Sequence, residues 1–227
     1  MATGFAVDHD RGRDSFLAEL TTLTEVLDQL SEAELWAASR CRGWAVSDVA
    51  VHVHLGLQEM VLGVLSPTSA LATADAASYW SAYQPPEDPG DLHHLHFVRL
   101  LASAYRRPDQ LLTHWQSTAS ALARGVQALP SGPLDFQGRV LATGDFLATW
   151  AVELAVHHLD LGRELDLAPP EPTALRLARE TVEALAGPMP ADWSDEEVVL
   201  LGTGRTPVDD AVRAELGERS ERLPVFG

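Results

Sequence analysis

Apolar residues recur at three- and four-residue spacing along most of the chain, the period of a helix that turns one face to a core. Phe16, Leu17, Leu20, Leu23, Leu27 and Leu30 predict a first helix over about residues 12 to 30. A connector, SEAELWAASRCRGWAV, leads to a second helix over about residues 46 to 65. The stretch from Ser66 to Gly90 carries the breakers SPTS and PPEDPG and reads as a long connection. Residues from about 91 to 128 read as helical, with a break near Arg107 and Pro108. PSGPLDFQG interrupts the pattern, and Thr143 can then cap a fourth long helix that runs to about Leu165 before APPEP ends it.

Beyond that point the pattern predicts a helix over about residues 172 to 186, with EEVVLLG as a short strand. A last helix follows over DDAVRAELG, with Thr206 as N-cap and Pro207 at its first position. The fold class this implies is mainly α. A four-helix bundle over residues 1–167 precedes a small α/β appendage over residues 168–227, built as helix, short strand, helix.

Composition narrows the function classes. Sixteen basic residues against 33 acidic ones give a net charge of −17, which repels phosphate backbones and anionic lipid surfaces and argues against nucleic-acid and membrane partners. The start of the chain is too polar for a signal peptide, and a single cysteine, Cys41, forbids an internal disulfide, so a cytoplasmic protein is expected. Every basic residue is arginine, and Lys, Ile and Asn are absent, a bias that reads as GC-rich coding rather than folding logic.

The polar residues of the helices carry the candidate chemistry. Glu153 and His157 stand four apart, hence one turn apart on one helical face, where an ion can bridge them, with Phe146 and Trp150 preceding them on the same stripe. His158 points about 100° away and is excluded from that site. His52, on the second helix, is the third candidate ligand; Asp48 stands one turn before it, and Gly56 and Gly63 on its stripe leave open volume beside it. Two histidines and a carboxylate on facing helices form a catalytic type of zinc site with a fourth position open. Glu59 lies about 10 Å along the axis from His52, too far to share the ion, and His54 faces the other way as a surface or packing residue.

The stretch LSEAELWAASRCRGWAVSDVAVHV, followed by WAVELAVHHLDLGREL, resembles the mycothiol-dependent maleylpyruvate isomerase family, a branch of the DinB-like metal-binding bundles. The tail LLGTGRTPVDDAVRAELGERSERLPVFG resembles the ending of short members of that family. The resemblance implies a metal triad of His52, Glu153 and His157, with zinc the first choice and nickel or iron as substitutes. It also implies mycothiol as cosubstrate, activated as a metal-bound thiolate for attack on a small electrophile; the arginine-only composition fits an actinobacterial host. Arg42 and Ala45 stand where relatives usually have proline and a hydroxyl residue; Ala45 removes a capping hydroxyl, and Asp48 can accept backbone N–H groups in its place.

Other residues keep two readings each. Cys41 is a redox thiol or a small buried hydrophobe; His93, His94 and His96 line the site mouth or form a solvated helix start. Trp44 walls the thiol pocket or merely packs. Arg205 clamps a substrate carboxylate or forms a surface ion pair. A thiol transferase is the leading function, with a cis-trans isomerase of the maleylpyruvate type as its alternative. A non-catalytic metal or thiol sensor, and a hydrolase using Asp48 or Glu59 as base, complete the set. The electrophile and the oligomeric state are left open.

Overall fold

A computed structural model describes residues 4–82 and 92–226, so the PPEDPG breaker lies outside the described residues. The chain forms α1 (His9–Gln29), α2 (Glu32–Leu35), α3 (Val46–Val64), α4 (His93–Ala104), α5 (Pro108–Ala128), a hairpin of β1 (Pro133–Phe136) and β2 (Arg139–Ala142), α6 (Thr143–Leu161), α7 (Pro172–Ala186), α8 (Asp195–Gly202) and α9 (Asp210–Leu216). The fold is mainly α, and α1, α3, α5 and α6 pack on one another as the expected bundle. No described helix is long and apolar enough to cross a membrane.

Helix α6 is the centre of the bundle: every one of its residues except Glu153 is buried. It lies so close to α1 that a Cβ on Gly12 would collide with the Gly144 carbonyl, and one on Gly144 would meet the backbone of Asp8 and His9 at 2.7 and 2.8 Å. Glycine at both positions lets the two backbones touch. Asp145, in the first turn of α6, accepts the Val7 N–H at 2.8 Å and so secures the chain entering α1.

Several sequence expectations are corrected. EEVVLLG is not a strand: Ser194 and Glu197 form a reciprocal capping box, and Val198, Val199 and Leu201 bury one side of helix α8 against α7. The described part of the C-terminal appendage is therefore helical. Thr206 and Pro207 do not start the last helix; Asp209 caps it by accepting the Val212 N–H at 2.9 Å, while the Thr206 N–H bonds to the Leu200 carbonyl. Thr143 is the first helical residue, not the cap, and its hydroxyl accepts from Gly132 N–H at 3.2 Å. Helix α6 ends at Leu161, four residues before the expected Leu165. PSGPLDFQG is more than an interruption, because it holds β1 and a tight turn in which Gln137 and Gly138 have φ of 50° and 72°.

Three substitutions test this packing. Gly12→Ala forces Cβ into backbone and is expected to lose about 2–3 kcal/mol in urea unfolding. Gly125→Ala in α5, whose Cβ would meet only Val64 at an ordinary 3.7 Å, is expected to gain about 0.5–1 kcal/mol. Burial raises the Asp145 carboxyl to about 6, aided by the charge of Asp75 and opposed by N–H groups of Val7 and Ala76. Its folded value thus lies above its unfolded one, so its stabilisation is complete below about pH 4 and is lost as pH rises through about 6. Asp145→Asn keeps the acceptor for Val7 and is expected to stabilise the protein at pH 7.5 by about 2 kcal/mol relative to its effect at pH 4.5, read by urea midpoints at the two pH values.

Candidate metal centre

Helix α3 carries His52 to α6, where Glu153 and His157 share a face. One carboxylate oxygen, Glu153 Oε1, stands 3.5 Å from His52 Nε2 and 3.3 Å from His157 Nε2. Two ligands about 2.0 Å from one ion at the tetrahedral angle are separated by about 3.3 Å, so the spacing and the donor types fit a borderline divalent cation. The possible ligand atoms of all three residues lie within 4.8 Å of one another.

The geometry around His157 fixes its ring orientation. Asp160 Oδ2 lies 2.9 Å from His157 Nδ1, and a carboxylate only accepts, so that nitrogen carries the proton and Nε2 faces Glu153. Burial alone would raise Glu153, but the charge of His157 and hydrogen bonds from His157 and His52 hold it well below the usual carboxylate range. Burial would lower His157, yet the charge of Glu153 and hydrogen bonds with Asp160, Cys41 and Glu153 hold it well above its ordinary value.

Arg205 is engaged inside the protein. Its Nε and Nη2 donate to the two oxygens of Asp160 at 3.1 and 3.0 Å, and Nη1 donates to the Thr203 carbonyl at 2.9 Å. The expected carboxylate clamp is instead a two-pronged partner of the residue behind His157. Burial would raise Asp160, but His157 and Arg205 bring it down to about 2. Cys41 donates its S–H to Asp160 Oδ2 at 3.1 Å, so it joins this cluster as a half-buried thiol.

The other sequence candidates separate. Trp44 is buried against His52, with ring centroids 5.2 Å apart, and stands behind that histidine outside the cavity lining. All three histidines at the start of α4 are exposed, and of them His94 lines the cavity, with its ring 5.4 Å from His52. Asp48 accepts the Ala45 N–H at 2.9 Å, the half of a capping box that remains, while its own N–H, which a hydroxyl at position 45 would accept, turns to the Ala45 carbonyl at 3.1 Å. Glu59 accepts from Gln137 at 3.0 Å, at the far end of the cavity. Aromatic rings approach both glycines, with Trp150 3.1 Å from a Cβ built on Gly56 and Phe146 2.6 Å from one on Gly63, and Gly56 still lines the open cavity beside His52. His54 is buried and hydrogen-bonded to Thr118, and His158 bonds Glu19 at 2.7 Å with both side chains buried.

His52, Glu153 and His94 open onto a cavity of about 230 Å³ walled by Tyr79, Trp80, Phe97 and Trp150. Residues 16–162 match the family model described as the mycothiol maleylpyruvate isomerase N-terminal domain. The chain belongs to that family. Among solved structures, a mycothiol-dependent maleylpyruvate isomerase is 14% identical with a TM-score of 0.53, covering 78% of this chain and 70% of that one. A mutant of such an isomerase is 13% identical with a TM-score of 0.52 and the same coverage. At these identities the likeness is one of fold. No curated protein matches the chain. Within the maleylpyruvate isomerase family pattern, the departures at Arg42 and Ala45 lie away from the three candidate ligands: Arg42 is exposed, and Ala45 precedes α3.

Glu153→Ala is expected to abolish metal retention in elemental analysis while circular dichroism keeps its helical signal, because the core around α6 is apolar. Arg205→Ala frees Asp160 and is expected to weaken metal affinity by about tenfold to a hundredfold in chelator competition. Arg205→Lys, with charge but no fork, should fall between.

Proposed function

We propose that this protein is a metal-dependent transferase that joins the thiol mycothiol to a small electrophile. Family membership supports mycothiol as the thiol. The observation that carries the transfer reaction is the engagement of Arg205 by Asp160, which leaves the described wall of the cavity without a cation to grip a substrate carboxylate. An isomerisation needs such a grip, because the substrate must be held while its central bond turns; a transfer needs only access to the electrophilic carbon.

His52, Glu153 and His157 would hold the ion. A divalent cation there, zinc by donor type, supplies the positive charge that favours the thiolate of a ligand beside it. Asp160, locked by Arg205, keeps the His157 Nε2 aimed at the same point as His52 Nε2. Trp150, Trp80 and Phe97 exclude water from the apolar part of the electrophile. The sulfur–carbon bond forms as the leaving group departs with its electron pair, and the thiol proton passes to solvent.

The family itself favours the second reading, a mycothiol-dependent isomerase of the maleylpyruvate type. Stoichiometry separates the two. Zinc-loaded protein given mycothiol and a generic electrophile such as a haloarene is expected to consume one thiol per product, with the conjugate visible by mass. Many turnovers of maleylpyruvate to fumarylpyruvate per mycothiol would overturn the transferase reading.

A further inference from the structure

Glu59 and Gln137 line the cavity beside His52 and also line a second, larger groove of about 500 Å³. The two spaces therefore meet at these side chains. Gln137 is the one described non-glycine residue with positive φ. The tight turn between Phe136 and Arg139 requires that conformation, which glycine or asparagine adopts at less cost than glutamine. What glutamine adds is reach. Its Nε2 donates to Glu59 Oε1 at 3.0 Å and its Oε1 accepts the Tyr79 hydroxyl at 2.9 Å, so its amide is held at the junction of the two spaces.

The side chains that line this end carry acidic charge, and Arg139, whose guanidinium stands 5.9 Å over the Tyr79 ring, is outside the lining. Glu59 and Asp135 line the groove, no arginine lines either space among the described residues, the chain has no lysine, and residues 83–91 contain no basic residue. An ionised carboxylate offers about four acceptor positions, of which Gln137 takes one at Glu59, so the junction still accepts hydroxyl or amide donors. Glu59 lies seven residues beyond His52, about 10 Å along α3. A thiol with its sulfur near His52 meets this polar end only if it carries a tail of that length.

We propose that Glu59 and Gln137 form a subsite for an uncharged, hydroxyl-rich tail on the thiol, and that this end of the site selects among thiols. The proposal rests on the thiol-transfer reading above. An anionic tail, as in glutathione, would bring carboxylates against Glu59 and Asp135 and is disfavoured; a thiol without a tail gains nothing here.

Calorimetric titration of the zinc-loaded protein tests it with three probes: mycothiol as the pseudodisaccharide thiol, N-acetylcysteine as a thiol without a sugar tail, and glutathione as an anionic one. Gln137→Asn keeps a residue suited to the turn but shortens the amide, and Glu59→Gln removes the charge. Each is expected to weaken mycothiol binding by about tenfold while N-acetylcysteine stays within about twofold. Glutathione is expected to bind more tightly to Glu59→Gln than to the parent. Mycothiol affinity unchanged in both variants, or mycothiol and N-acetylcysteine falling together, overturns the subsite and leaves the thiol reading standing. No heat from any thiol with the parent protein overturns the thiol reading and the subsite with it.

Discussion

A carboxylate with no exposed surface sits at Asp160, and the region around His157 depends on its being matched. Desolvating such a charge costs several kcal/mol unless donors and positive charge surround it. Asp160 receives the Arg205 fork, the His157 ring N–H and the Cys41 S–H, while its backbone carbonyl takes the Arg40 N–H at 2.9 Å. Those partners come from the loop before α3, from α6 itself and from the turn after α8. The orientation of His157 is therefore assembled from chain segments 119 and 45 residues from Asp160. The C-terminal part of the chain reaches the site through Arg205, which the turn after α8 delivers, and through Phe226, which stacks on the cavity residue Trp80 at 4.5 Å.

The same constraint governs α6 as a whole. A helix buried on every side cannot leave polar groups to water, so most find a partner inside, although the ring nitrogens Trp150 Nε1 and His158 Nε2 have none. Thr149 donates to the Phe146 carbonyl, and His158 pairs with Glu19, whose second oxygen accepts the Glu171 N–H at 2.6 Å. Burial raises Glu19, and the hydrogen bond and charge of His158 oppose that rise. Glu153 alone on this helix escapes full burial, and it does so where the cavity opens. The cavity therefore meets α6 at the residue whose packing is incomplete, with the buried Thr149 and Trp150 beside it.

These facts explain what could be read from the chain and what could not. Helical period locates α3 and α7 almost to the residue, because apolar side chains recur at helical spacing along the whole of each. The four-residue spacing of Glu153 and His157 likewise survives folding, since it is set within one turn. EEVVLLG misleads because a short apolar run lacks a period long enough to tell strand from helix; the decisive signal is the pairing of Ser194, just before it, with Glu197 at its start. The hairpin hides for a similar reason: its strands have four residues each, and much of their pairing is to the connection after α3, through Ser66, Thr68 and Thr73. The partners of Arg205 and of His158 are 45 and 139 residues away, and no local pattern records a contact at such range. Glycines at a helix face proved equally ambiguous, since Gly56 and Gly63 signal close approach without saying whether a ligand or a tryptophan makes it.

The charges near His157 give Arg205 a purpose that a surface ion pair would not have. Asp160 and Glu153 both bear on the same imidazole, from its two nitrogens. Left alone, two carboxylates would cancel the charge of a divalent ion held there and remove its power to favour a thiolate. Arg205, held by Asp160 at about 3 Å, neutralises the rear carboxylate and leaves Glu153 as the single anion of the donor set. Lysine could supply the same charge but not the planar fork that also fixes the carboxylate's orientation. On this account the arginine sets both the aim of His157 and the residual positive charge of the site, although it touches neither the cavity nor any of the three donor atoms.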